Sequence, residues 1–334
     1  MRGAAAAVLV GLALLVGGCG GWQSTLAPRG PAAAEFESLW WIAFLSTGSL
    51  SAITILGLCY AVRRALRADR ARSGGSVSSS EQRFIVLAGV VAPALFLLFF
   101  LSASVRSGAV VSEPPGNGLS LEVVGHMFWW EVRYPDQEVV TANEIRIPVG
   151  VPVNVQVTSA DVIHSFWVPQ LGPGKVDMVP GRTNTIWLRA DEPGVYRGQC
   201  TEFCGVQHAH MSLLVVASSG EEFEAWAARA REGPAEPEDP VEIRGREVFF
   251  EAGCAPCHGI RDVSRPTHTG TPGPDLSDLA SRKTLGALTV PNDREHLTEW
   301  VRDPHQFKPG VRMPAHRLAE DDLQALVRYL ETLR

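Results

Sequence analysis

The sequence has little charge and few cysteines, and each shortage excludes a class of protein. Charged residues make up 20% of the 334 residues and hydrophobic residues 46%, which argues against intrinsic disorder. The net charge of −6 lacks the basic excess that nucleic-acid binding requires, so we expect no nucleic-acid partner. Six cysteines are too few for a disulfide scaffold. The length exceeds that of one compact domain.

The first 18 residues have the layout of a secretory signal peptide, with Arg2 followed by a short apolar run and small residues. This run is too short for a comfortable membrane span. Its end, Val16-Gly17-Gly18-Cys19, resembles a bacterial lipobox, which implies that Cys19 is lipidated and begins the mature chain. An ordinary signal peptide with an incidental cysteine is the alternative. Residues 19–37 would form an exterior N-terminal segment.

Two further runs, residues 38–62 and 84–105, contain no charged side chain. Both exceed the ~20 residues that a helix needs to cross the hydrocarbon core, so we predict two transmembrane helices. The loop between them, residues 63–83, carries six arginines against Asp69 and Glu81, and the positive-inside rule places it in the cytoplasm. Everything after residue 105 would therefore lie on the exterior side of the bacterial plasma membrane. Membrane lipid would be a partner of the two helices.

The exterior part changes character along its length. Residues 112–217 hold short alternating or β-branched runs broken by Pro and Gly, which predict an antiparallel sandwich or barrel. Residues 218–240 are acidic and Pro-containing, with a short helix around 221–231, and are predicted to form a semi-stiff linker. Residues 241–334 have helical patterns. The predicted fold class is multidomain: two transmembrane α-helices, an all-β sandwich and an all-α domain.

The all-α domain contains the motif Cys254-x2-Cys257-His258, which is typical of covalent c-type heme attachment with the histidine as axial ligand. A redox CxxC and half a zinc site are alternatives, but the helical surroundings and the lack of a second downstream CxxC disfavour them. Electron-transfer cytochromes commonly add a methionine ligand, and Met313 is the single methionine after His258. Its rivals as sixth ligand are His268, His296, His305 and His316.

The β domain contains a second set of possible metal ligands. Two thiols, two imidazoles and a thioether are a soft set that favours copper. A zinc site that leaves the thioether unused and a disulfide between the two thiols are the alternatives. These ligands are His164, Cys200, Cys204, His208 and Met211.

Residues 241–334 resemble class I cytochrome c, through the CxxCH motif, Gly273-Pro274-Asp275-Leu276, Met313-Pro314 and the amphipathic C-terminal helix. The resemblance implies one covalently bound heme c. It also implies that the Pro274 carbonyl accepts a hydrogen bond from His258. Such a bond orients the ring of a histidine that binds a metal. The N- and C-terminal helices of that family cross, and here Phe249 and Tyr329 could mediate the crossing.

Residues 38–217 resemble subunit II of heme–copper oxidases, which has two spanning helices before a cupredoxin-like domain, through the pattern C-x-E-x-C-x3-H-x2-M. The resemblance implies a binuclear CuA centre with Cys200 and Cys204 as bridges. His164 and His208 would each bind one copper, and Met211 and the carbonyl of Glu202 would be weak axial ligands.

The same resemblance implies further roles. The Glu202 side chain would reach a magnesium ion shared with subunit I, and Asp177 would face that subunit. Electrons would enter through Phe128, Trp129 or Trp130, although the usual entry tryptophan aligns with Phe128. Glu81 is placed like the carboxylate at a proton-channel entrance, and a helix-terminal charge is the ordinary alternative.

The whole arrangement resembles subunit II of caa-type cytochrome c oxidases, in which a cytochrome domain is fused to the CuA domain. This implies that an exterior donor, a cytochrome c or a quinol–cytochrome c reductase, reduces the heme. Electrons would pass to CuA and then to a separate subunit I, which reduces O2 and pumps protons. Subunit III would be another partner, and this chain would hold no catalytic residue. The alternatives are a nitric oxide reductase subunit and a non-catalytic copper-binding membrane lipoprotein.

Overall fold

The computed structural model describes residues 21–67, 78–112, 116, 118–267 and 273–334. The predicted signal peptide and Cys19 lie outside the described residues, as do His268 and the middle of the basic loop. The chain forms two compact units. One is Ala34–Glu113, and the other combines Met1–Ala33 with Pro114–Arg334.

The first unit is helical and contains two long apolar helices. The first, α1, spans Pro31–Arg67. The second comprises α2 (Ser79–Val86), a π-helical turn (Leu87–Val91) and α3 (Ala92–Ser112). Each is long and apolar enough to cross a membrane by length and composition, and each extends beyond the charge-free run that predicted it. Pro93 is the second residue of α3, two positions after the π-helical turn ends. Membrane-spanning helices tolerate proline, because neighbouring groups satisfy the freed backbone carbonyl.

The second unit begins with a β domain of two five-stranded sheets. The first sheet has the order β3-β2-β1-β5-β8 and the second the order β4-β10-β9-β6-β7. Buried side chains from both sheets, such as Val123 and Leu213, form one core. The strands are β1 (Leu119–His126), β2 (Trp129–Tyr134), β3 (Val139–Ala142), β4 (Glu144–Pro148), β5 (Val153–Ser159), β6 (His164–Trp167), β7 (Val176–Met178), β8 (Asn184–Leu188), β9 (Gly194–Cys200) and β10 (Ser212–Ser218).

The sheets are not purely antiparallel, which corrects that detail of the sequence interpretation. One pair in each sheet, β1 with β5 and β4 with β10, runs parallel. The chain changes sheets at Asn143, the one residue between β3 and β4, which has a positive φ of 64°. Asparagine tolerates this conformation better than most residues. Its side-chain oxygen also accepts a hydrogen bond from Trp130 N at 2.9 Å, which fixes the crossing.

The helix α4 (Gly220–Glu232) lies within the region predicted to be a linker, and it packs on the β domain. Ser219 and Glu222 form a capping box at its start. Trp226 packs edge-to-face on Tyr134, with ring centroids 5.0 Å apart, and the Arg146 guanidinium lies 5.5 Å from the Trp226 ring. Only residues 233–239 remain as an extended connection to the next domain.

The C-terminal domain is built on the crossing of its first and last helices. Gly245 permits close approach, because a Cβ there would lie 2.0 Å from the Ala325 carbonyl oxygen. Phe249 and Tyr329 meet edge-to-face with centroids 6.3 Å apart, which confirms the predicted contact. The elements are α5 (Pro240–Glu251), β11 (Thr284–Leu285), β12 (Val290–Pro291), α6 (Arg294–Arg302) and α7 (Glu320–Leu330).

The β domain and the C-terminal domain share a polar contact. The Thr141 hydroxyl donates to the Asp278 carboxylate at 2.9 Å, and Asp278 is paired with Arg282 in a buried ion pair. The Lys283 backbone N–H donates to Glu144 at 2.6 Å. These groups are buried when the two domains dock. Their hydrogen bonds offset the free-energy cost of removing them from water.

We expect Trp226→Ala to destabilise the β domain by about 3–5 kcal/mol, because a large buried aromatic side chain leaves a cavity. Thermal unfolding of the solubilised chain, followed by near-ultraviolet circular dichroism, measures the change. Glu224→Ala is the matched control, since Glu224 is on the exposed face of the same helix. Equal unfolding temperatures for the two variants would show that α4 does not support the sheet.

Candidate metal centres

The soft ligands of the β domain converge because three strands end at the same place. His164 begins β6 and Cys200 ends β9. Cys204 lies in the following loop, and a 3-10 turn, His208–His210, leads to Met211 at the start of β10. Two backbone bonds fix the loop ends, Thr201 N to Ser165 O at 3.1 Å and Cys200 N to Met211 O at 2.9 Å.

The ligand atoms face one another at distances that a metal could span. The sulfurs of Cys200 and Cys204 are 3.9 Å apart, and the His164 Nδ1 and both sulfurs lie within 4.8 Å of one another. His208 Nδ1 is 3.6 Å from Cys204 Sγ, and Met211 Sδ is 3.8 Å from the same sulfur. The Glu202 carbonyl oxygen lies 3.1 Å from Cys200 Sγ. The structure therefore brings together all six residues predicted to hold CuA.

The two thiols cannot both be ionised without added positive charge. The hydrogen bond with Cys204 lowers the pKa of Cys200 to about 3. The same interaction raises the pKa of Cys204, because its thiolate would place a second negative charge beside the first. Bound metal cations remove this conflict, since a coordinating thiol is deprotonated outright.

The structure bears on the three chemical alternatives for this site. The two cysteines are free, and their separation is well beyond a disulfide bond. Met211 is fully buried and directed at Cys204, so its thioether is part of the donor set. A thioether that joins two thiolates and two imidazoles fits copper better than a tetrahedral zinc site.

Two residues that the sequence analysis did not single out position His164. Asp161 Oδ1 is 2.8 Å from His164 Nε2, which leaves Nδ1 directed at the sulfurs. Gly125 on β1 leaves room for the imidazole, because a Cβ there would lie 2.8 Å from the ring. Such outer bonds orient a ligand and set its tautomer. The signal for Asp161 was its position three residues before His164, too common a spacing to be diagnostic.

A second site is a cavity of about 410 Å³ in the C-terminal domain. Cys254, Cys257 and His258 line it, and Met313 lines it as well. The walls are mainly apolar, as a porphyrin requires. The cavity therefore fits a covalently attached heme.

The predicted axial histidine is oriented for iron. His258 Nδ1 is 2.8 Å from the Pro274 carbonyl oxygen, as the resemblance implied, so Nε2 is the ligating nitrogen. Gly273 permits this placement, since a Cβ there would lie 2.4 Å from the ring. Burial lowers the pKa of His258 and favours the neutral imidazole that a metal needs.

Among the rivals for the sixth position that the structure describes, His316 also lines the cavity, three residues after Met313. His296 is engaged with Asp293 at 2.8 Å, and His305 is not part of the cavity wall. Met313 is therefore the predicted ligand and His316 its one remaining rival among the described histidines.

The three aromatic residues predicted to admit electrons lie in two different places in the structure. Phe128 and Trp129 line the heme cavity, although they belong to the β domain. Trp130 points into the sandwich core, with its ring 6.3 Å from the His164 ring. Trp129 stacks on His126, with ring centroids 4.3 Å apart.

The remaining predicted site residues have ordinary partners. The Glu202 carboxylate accepts from Lys175 Nζ at 3.3 Å, and Asp177 lies 3.2 Å from the same nitrogen. Glu81 forms a capping box with Ser78, which is the ordinary role considered for it. The magnesium and proton-entry roles stay predictions.

A cupredoxin-like domain with a CuA-type donor set, joined to a CxxCH cytochrome domain, defines a class of two-centre metalloproteins. Comparison with known proteins agrees with this class. The family model for "Cytochrome C oxidase subunit II, periplasmic domain" matches residues 137–218, and that for "Cytochrome c" matches residues 243–334.

Three relatives specify the family. "Cytochrome c oxidase subunit 2" of Alkalihalophilus pseudofirmus is 39% identical over 66% of this chain and 63% of its own length. That of Bacillus subtilis is 27% identical over 96% and 95%. "Probable cytochrome c oxidase subunit 2" of Rickettsia felis is 31% identical over 62% and 71%. The chain belongs to the cytochrome c oxidase subunit 2 family, although the aligned part spans less than two thirds of the Alkalihalophilus protein.

We expect Asp161→Ala to weaken copper binding by roughly 10–100-fold, because the bond that orients His164 is lost. Competition with a copper chelator measures the affinity. Asp136→Ala is the control, since Asp136 is exposed. Unchanged affinity in both variants would mean that Asp161 does not support the ligand.

We expect Met313→Leu to lower the reduction potential of the heme, because Met/His ligation raises it. A redox titration followed by heme absorbance measures the potential. His316→Leu should leave it near the wild-type value. The reverse pattern would assign the sixth ligand to His316.

Proposed function

We propose that this chain is the electron-entry subunit of a membrane caa-type cytochrome c oxidase. It takes electrons from an exterior donor at its heme c domain and delivers them through the CuA domain to subunit I. Subunit I reduces O2 to water with proton pumping. This chain lacks the O2-reducing site, so turnover belongs to the complex.

The observation that carries this proposal is the position of Phe128. Its side chain lines the heme cavity and is only 6% exposed. On the other side it touches the copper loop, since a Cβ on Gly205 would lie 3.2 Å from its ring. Gly205 directly follows Cys204. The Phe128 ring therefore lies between the heme cavity and the loop that carries Cys204.

When bound, heme c and CuA supply one-electron chemistry. The protein supplies a fixed and dry setting for it. Cys254 and Cys257 would hold the porphyrin covalently, and the Pro274 carbonyl keeps the His258 ring in one orientation. At the copper site His164 and Cys200 sit at strand ends, and the loop with the other ligands is fixed at both ends by backbone hydrogen bonds, so the ligand positions need not move when the charge changes. Because such fixed ligand positions change little on reduction, electron transfer needs little structural reorganisation.

We also propose how this chain is placed in the membrane and which partners it contacts. The two long apolar helices would cross the bacterial plasma membrane, with both metal domains on the exterior side. The partners would be subunits I and III and an exterior cytochrome c or quinol–cytochrome c reductase. At the contact with subunit I, Glu202 would exchange Lys175 for a shared magnesium ion, a change that its 43% exposed side chain permits. Cys19 would carry a lipid anchor.

We expect Cys200→Ser to abolish the EPR signal of two coppers that share one unpaired electron, because a hydroxyl cannot bridge them as a thiolate does. The c-type heme spectrum should be retained, since the heme cavity does not include Cys200. EPR, copper analysis and visible absorbance of the same sample provide the three readouts.

Cys59→Ser is the matched control for this variant, because Cys59 is exposed on α1. It should keep both signals. A Cys200→Ser protein that kept the shared-electron signal would contradict the bridging role. A wild-type protein with a mononuclear copper or zinc signal would contradict the proposed function itself.

A further inference from the structure

Lys308 is a fully buried lysine between the β domain and the C-terminal domain, with a relative exposure of 1%. It follows the 3-10 turn Pro304–Gln306. Its Nζ donates to Phe128 O at 2.8 Å and to His210 O at 2.7 Å, both in the β domain. A third bond, to Gly286 O at 2.7 Å, lies within its own domain.

Three carbonyl acceptors match the three N–H donors of an ammonium group. Burial opposes the charge and lowers the pKa of Lys308 to about 7. The carbonyls oppose that effect, because the neutral amine would leave one of them without a donor. No carboxylate pairs with Lys308 among the described residues. An ion pair therefore does not explain the burial of Lys308. The three backbone carbonyls, which come from both domains, do explain it.

The bonds of Lys308 connect the two segments that carry metal ligands. His210 lies between His208 and Met211 of the copper site, and Lys308 lies five residues before Met313 of the heme site. Neighbouring contacts reinforce the connection. Gln207 Nε2 donates to Pro309 O at 2.5 Å, and a Cβ on Gly310 would lie 2.8 Å from Val206. The two ligand loops are thus interlocked.

The third partner of Lys308 is the backbone of Phe128, the residue whose ring separates the heme cavity from the copper loop. Lys308 therefore contacts the copper-ligand loop, the loop of the sixth heme ligand and the aromatic spacer at once. The polar contact through Thr141 and Asp278 is a separate part of the interface and involves no metal-ligand loop. The interface between the two domains thus has one polar part that includes the ligand loops and another that does not.

We propose that Lys308 is a positioning residue that holds the heme domain, Phe128 and the copper loop in register for electron transfer between the two sites. Its effect on transfer rests on the proposed function. The residue acts through the loops that it joins, and it is not itself a ligand.

The test is Lys308→Met in the full chain within the oxidase complex. Methionine keeps an unbranched side chain but removes the donors and the charge. Heme is reduced by a photoactivated ruthenium dye, and absorbance follows its reoxidation and the reduction of copper. We expect transfer from heme to copper to be roughly tenfold slower or more, because the two ligand loops and Phe128 lose the bonds that align them. The heme spectrum and the copper EPR signal should be retained.

Two controls distinguish alignment from general docking. Lys283→Met removes the same charge from an exposed position of the same domain. Thr141→Val removes a hydrogen bond between the domains far from the ligand loops in sequence. Both should transfer electrons at the wild-type rate. If Thr141→Val slowed transfer as much as Lys308→Met, Lys308 would only contribute to docking, and the proposal would be wrong.

A second variant, Gln207→Leu, breaks the neighbouring bond to Pro309 and should also slow transfer. It keeps the test decisive if Lys308→Met does not fold with both metals. Wild-type transfer rates in whichever of these variants load both sites would overturn the role of Lys308 while leaving the proposed function intact. Absence of heme-to-copper transfer in the wild-type complex would instead refute the proposed function.

Discussion

The arrangement depends on two cysteine sulfurs held 3.9 Å apart in a buried site where only one of them can ionise without help. A protein interior penalises unpaired charge, so two adjacent thiolates need cations. The end of the strand at Cys200 is fixed by two backbone hydrogen bonds, from Cys200 N to Met211 O and from Thr201 N to Ser165 O. These bonds therefore hold the two sulfurs close together, and bound metal cations would take the place of the proton on Cys204. A site built in this way favours bound cations, because only they allow both sulfurs to be thiolates.

The second centre is shaped by the first domain as well as by its own. Phe128 and Trp129 come from the β domain but line the cavity that Cys254 and His258 also line. A cytochrome domain on its own would leave that side of the cavity open. The apolar side chains of the β domain complete its wall and shield it from water, and such burial is one of the factors that set the potential of a heme. The two centres are therefore coupled through a common wall before any electron moves.

The ligands of both sites could be predicted from the sequence because they are close in the chain or chemically distinctive. Other features depend on contacts that no local pattern contains. The parallel pairing of β1 with β5 depends on a change of sheet at Asn143, and the docking of α4 depends on Tyr134 and Arg146. Lys308 shows the difficulty most clearly. A lysine beside Pro and Gly is normally exposed, and only the three carbonyl groups around it explain its burial.

The docking of α4 also changes what the connection between the domains can do. With residues 220–232 packed on the sheet, only residues 233–239 are free to act as a tether. Such a short, Pro-containing segment keeps the heme domain at high effective concentration near the copper domain. The aromatic surface at Phe128 and Trp129 is then covered by this chain's own cytochrome domain, because both residues line its cavity. A soluble donor cannot occupy the same surface while the domains are docked. In the proposed function, the fused heme is therefore the point at which electrons enter this chain.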